Sequence, residues 1–116
     1  MTATAEENLE DFNDFLGKSI DETLTGLFSR EVVEALYIHL KKFHSVPKEQ
    51  IPHRLETLCL TLERTFGRPT SSTIGKAIAK RLYQKLELNF PKHRNPGLTL
   101  FDYVEEAKIK LSHKNR

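Results

Sequence analysis

Apolar residues in this chain recur at three- and four-residue spacing, segment after segment, with proline, glycine or polar clusters between segments. That period lines one face of an α-helix and conflicts with the strict alternation of a half-buried strand. Ser71–Leu88 shows it most fully. Stepped at about 100° per residue, Ile74, Gly75, Ile78, Ala79, Leu82 and Leu86 share one broad arc. Lys76, Lys80 and Glu87 lie opposite, and Arg81 and Lys85 line a shoulder. Gly75 and Ala79, one turn apart, leave room for a neighbouring helix to approach the backbone.

The same reading extends along the chain. Ala5, Leu9, Phe12 and Leu16 stripe an acidic segment over residues 5–16, with Gly17 as its expected stop. Ser19 and Glu22 have capping-box spacing and open a short helix with Ile20, Leu24 and Leu27 inward. Ser29 caps the next helix, whose inward stripe is Val32, Leu36, Leu40 and Phe43, widened by Val33, Ala35 and Tyr37. Two prolines make residues 44–52 a connector. Leu55, Leu58, Cys59, Leu62 and Phe66 form the next inward row. Residues 67–70 then break the chain, and Ser71 or Ser72 caps the helix that follows. After Leu88 the run NFPKHRNPGL is the longest expected loop. Thr99 caps a last helix with Leu100, Val104, Ala107 and Leu111 inward. The expectation is an all-α fold, a compact bundle of five to six short helices without a sheet. Residues 1–17 would be an acidic appendage, 18–112 the domain, and 113–116 a frayed tail. Leu36, Leu40, Leu58, Leu62, Ile78 and Leu82 are the predicted core.

At 116 residues the chain suffices for one core without staples. Its lone cysteine, Cys59, excludes an internal disulfide and fits a reducing compartment. No apolar run approaches the roughly 18 residues of a membrane span. The acidic first residues lack the apolar centre of a signal peptide, so a cytoplasmic location is expected.

Catalytic and metal motifs are missing from the sequence. His39 and His44 are five apart, about 140° round a helix, whereas a helical zinc pair wants spacing of four. Cys59 falls on a buried stripe, where a thiol packs rather than reacts. There is no dinucleotide fingerprint, P-loop or nucleophile elbow. A non-enzymatic protein without cofactor, metal or small-molecule substrate is therefore expected.

The net charge of +2 conceals a split: residues 1–34 carry −7 and the remainder +9. From Arg68 to Arg94 seven cations face only Glu87. Helix 53–66, the turn and helix 71–88 also imitate a helix-turn-helix. Such a unit would offer Ser71, Ser72, Thr73 and Lys76 to a major groove and Arg68, Lys80, Lys92 and Arg94 to phosphates. The same cations also describe a solvated basic face that complements the acidic end, which is the default for such a run, and both readings stand at this point. Phe12 and Phe15 on the acidic helix, Leu60 and Ile109 are the candidate self-association residues, and a homodimer is expected.

Several runs taken together resemble one family. IDETLTGLFSREVVEALYIHLKKFHSVPKEQIP, LERTFG, IAKRLYQKL and LFDYVEEA, in that order, resemble the archaeal all-helical domain called the fifth Nitrososphaera output domain. The resemblance covers approximately residues 19–107 and leaves out the acidic N-terminal helix. It implies a small archaeal domain, found alone or attached to signalling modules, that transmits a response by binding a macromolecule. With no receiver or kinase segment beside it, a stand-alone version is expected. DNA binding through segment 53–88 is the alternative function.

Overall fold

The computed structural model describes residues 5–91 and 97–114, with side chains over 11–91 and 97–113. Among the described residues the chain is helical throughout, with no strand, so the all-α expectation holds. The elements are α1 (Ala5–Leu27), α2 (Arg30–His44), a 3₁₀ helix (Lys48–His53), α3 (Leu55–Phe66), α4 (Arg68–Lys85) and α5 (Leu100–Lys114). No described helix is long and apolar enough to cross a membrane. The chain divides into two compact units, Met1–Arg54 and Leu55–Arg116.

In the first unit α1 runs unbroken through Gly17, where a stop was expected. Phe12, Leu16, Ile20 and Leu24 are all buried and follow one another at four-residue spacing straight across the glycine. Continuing that row outweighs the roughly 1 kcal/mol that glycine costs a helix interior. A Cβ at Gly17 would lie 3.5 Å from Pro52 Cγ, so the glycine marks a close approach to the 3₁₀ helix. Ser19 is therefore not a cap: it is buried inside the helix, its hydroxyl donating to the Phe15 carbonyl at 2.7 Å. Leu27, expected inward, is exposed.

Ser29 does cap α2, accepting from the Val32 amide at 3.3 Å. The buried row of α2 is Val33, Leu36 and Leu40, whereas Val32 and Phe43, expected inward, are exposed. The Tyr37 hydroxyl donates to Asp21 Oδ1 at 2.8 Å, and Lys48 Nζ stands 3.4 Å from the same oxygen. One carboxylate thus ties α1, α2 and the 3₁₀ helix together.

In the second unit Leu55, Leu58 and Leu62 on α3 and Ile74, Ile78, Ala79 and Leu82 on α4 are buried. Every predicted core residue is buried, Leu36 least so at 8% exposed. The break between α3 and α4 is a single residue, Gly67, whose φ of 88° suits glycine. Helix α4 therefore begins at Arg68 rather than after Ser71, and Ser71 and Ser72 lie inside it. At Gly75 a Cβ would sit 3.5 Å from Leu100 Cβ, which is where the start of α5 crosses α4. Helix α4 ends earlier than Leu88. Glu87 is left-handed at φ 57°, Leu88 N–H bonds the Tyr83 carbonyl and Glu87 N–H the Gln84 carbonyl, forming a Schellman motif. Thr99 caps α5 as expected, exchanging hydrogen bonds with Asp102.

Candidate functional site

Two surfaces stand out, one in each unit. On the first, Val32, Ala35, Ile38, His39 and Phe43 are all exposed along the outer side of α2. Ile38 is 63% and Phe43 65% exposed, too much for the edge of a packed face. Val32, Phe43 and Ala35 had been expected inward, so this surface was not foreseen. Both α2 rows are apolar, so periodicity identified a helix without identifying which row the core takes. The His39 and Phe43 rings lie 4.8 Å apart and Lys42 Nζ sits 5.5 Å from the Phe43 ring. Glu31 and Glu34 lie towards the start of the helix and Lys41 and Lys42 towards its end, all four exposed. Among the described residues Glu31, Glu34 and Lys41 form no ion pair.

On the second surface, α4 carries Arg68, Lys76, Lys80, Arg81 and Lys85 and no acid along its whole length. Lys76 and Lys80 are one turn apart and exposed, so both point to the same side. Arg68 is exposed but engaged, its Nε 3.2 Å from Glu63 Oε1. Lys80 Nζ lies 5.7 Å from the Phe90 ring, which packs on Tyr83 and Tyr103. The polar side chains expected at a groove are placed less favourably. Ser71 turns toward α3, donating to the Cys59 carbonyl at 3.4 Å, and Thr73 donates to the Pro69 carbonyl one turn back. Ser72 is exposed. Lys92 and Arg94 lie outside the described residues.

A shallow cleft of about 380 Å³ is lined by Cys59, Glu63, Arg68, Ser71, Ser72 and Gly75, with residues 97–100 closing it. Its thiol is muted. Burial pushes the Cys59 thiol up to about 11, and neighbouring Glu56 and Glu63 push the same way against a hydrogen bond from the Leu100 amide. Burial also holds the Tyr37 and Tyr83 hydroxyls well above their ordinary range, with Asp21 and Glu106 respectively adding to it. The Tyr83 hydroxyl is committed to the Tyr103 carbonyl at 2.8 Å. These groups hold their protons and serve packing. Among the described residues no three metal-ligating side chains converge.

Of the candidate self-association residues, Phe12 is buried in α1, while Phe15, Leu60 and Ile109 are exposed. Phe15 belongs to the first unit and Leu60 and Ile109 to the second. No family model, curated protein or solved structure matches this chain.

Proposed function

We propose that the chain is a regulatory, signal-output-type domain of the cytoplasm that works by binding a macromolecule rather than by catalysing a reaction. The observation that carries this reading is the exposed apolar surface of α2, where Val32, Ala35 and Phe43 share one side with His39 and Ile38 stands further round the helix, Phe43 and Ile38 each about two-thirds exposed. Contiguous apolar surface bounded by charge marks interaction sites in soluble proteins. Resemblance to the helical output-domain family supports the same reading. A photo-crosslinking residue in place of Ile38 tests it in cell extract, beside a control in place of exposed Arg64. Adducts at position 38 and none at 64 are expected. Absence of adducts at 38, or turnover by the purified chain, overturns the reading.

One observation favours a second reading. The five cations of α4 with no intervening acid suit a phosphate backbone, and duplex DNA is the polyanion that segment 53–88 fits. Steep loss of affinity with salt is its signature.

A further inference from the structure

We propose that α4 lies lengthwise in the major groove of duplex DNA, with Thr73, Ala77 and Gln84 facing the base edges and cations on both flanks meeting the two phosphate strands. This deepens the DNA-binding reading and rests on it. Ile74, Gly75, Ile78, Ala79, Leu82 and Tyr83 take the buried side of α4. On the other side Thr70, Thr73, Lys76, Lys80, Arg81 and Gln84 are exposed and Ala77 is half-buried. Stepped at about 100° per residue, Lys76 and Arg81 bound this outward arc, about 140° apart. Lys80 lies beside Lys76 on one edge. Thr73, Gln84, Ala77 and Thr70 fall between the edges, an uncharged strip with a cationic margin on each side.

That order suits a groove better than a protein surface. No acid interrupts the helix, and the outward arc holds no aromatic or large apolar side chain. The cores of protein interfaces are enriched in aromatic residues and depleted in lysine. A helix with its side chains is about 10–12 Å across and the major groove about 12 Å wide, so both margins reach phosphate together. From Thr73 to Gln84 the rise is roughly 16 Å, the length of about five base pairs. The strip is small apart from Gln84, so little holds the backbone away from the bases. Its chemistry is that of A·T pairs: glutamine bonds adenine N6 and N7 together, and threonine or alanine methyls pack on the thymine methyl. The Thr73 hydroxyl donates to the Pro69 carbonyl at 3.1 Å, which leaves its methyl for that contact.

Selection from a random duplex library by the full chain, followed by retardation of recovered and scrambled duplexes across a salt series, tests the placement. The recovered duplexes are expected to share a short site containing A·T pairs. Gln84→Ala should lower the preference for that site over the scrambled duplex about tenfold and leave the salt slope unchanged. Lys76→Ala and Arg81→Ala should each weaken binding to both duplexes alike and remove about one unit of slope. Circular dichroism of all three variants is expected to match wild type. Retardation without an enriched site overturns the base contacts and leaves the DNA-binding reading standing. So does a slope that responds to Lys76→Ala and not to Arg81→Ala at unchanged helicity, since only one margin then meets phosphate. A chain that retards no duplex removes both, including one that instead crosslinks to an acidic protein through a photo-reactive residue in place of Ala77.

Discussion

Thr23 is 4% exposed on α1, and its hydroxyl has no hydrogen-bond partner among the described residues. A buried, unpaired hydroxyl costs more than it returns, whereas valine fills the same space without a polar atom. Thr23→Val should raise the unfolding free energy by about 1 kcal/mol in urea titration. Cys59 gives a second test. Its thiol titrates near 11 in the folded chain against an ordinary value of 9.0, so between those values the folded state keeps a proton that the unfolded state loses. The stability this contributes is complete below about pH 9 and is lost as pH rises through about 11. Cys59→Ala should flatten the alkaline fall in stability, and alkylation of wild-type Cys59 at pH 8 should be slow until urea unfolds the chain. An unchanged alkaline slope would mean the thiol is not the group responsible. The placement of Cys59 beside Leu58 and Leu62 was legible from helical spacing. The orphaned hydroxyl of Thr23 was not, because partnering depends on which carbonyls the fold leaves within reach.

Helix ends were where sequence and structure parted. Ser29 and Thr99 were legible as caps because a new apolar row starts after each instead of running through it. Gly17 and Ser19 misled for the opposite reason. They look like punctuation locally, but Phe12, Leu16, Ile20 and Leu24 hold a single row through them. On α2, apolar residues occupy most of the circumference, so the choice between Val32 and Val33 as the inward valine belongs to packing. The C-terminal ends follow backbone rules instead. Ser45 and Glu87 close α2 and α4 in left-handed conformations, at φ 56° and 57°. A side chain with a Cβ costs roughly 1 kcal/mol there, which glycine avoids. Glu87→Gly should therefore stabilise the chain by roughly 0.5–1 kcal/mol in thermal or urea unfolding. Destabilisation of that size would show that α4 does not end in the Schellman motif.

At the scale of the molecule the charge split survives in the fold. Residues 1–54 hold ten acids and six bases, a net −4, and residues 55–116 hold six acids and twelve bases, a net +6. The sequence showed the change of charge after residue 34, twenty residues before the border between the units, and the border itself was not legible because the connector before it forms the 3₁₀ helix packed on α1. A chain with such a split attracts polyanions weakly through net charge alone. Site-specific phosphate contact by α4 makes a stronger demand: affinity for duplex DNA must depend on which cations are removed. Lys76→Glu with Lys80→Glu takes away two exposed cations one turn apart, and the plot of log affinity against log salt should lose about two units of slope. Lys18→Glu with Arg30→Glu makes the same change in net charge at two exposed positions of the first unit and serves as the control. If α4 is the DNA surface, the first pair weakens retardation of duplex DNA sharply and the second barely does, while melting temperatures stay close to wild type. Equal weakening would mean attraction by net charge. Absence of any salt-sensitive retardation by the wild-type chain would remove DNA from its partners, leaving the cations of α4 as a solvated face.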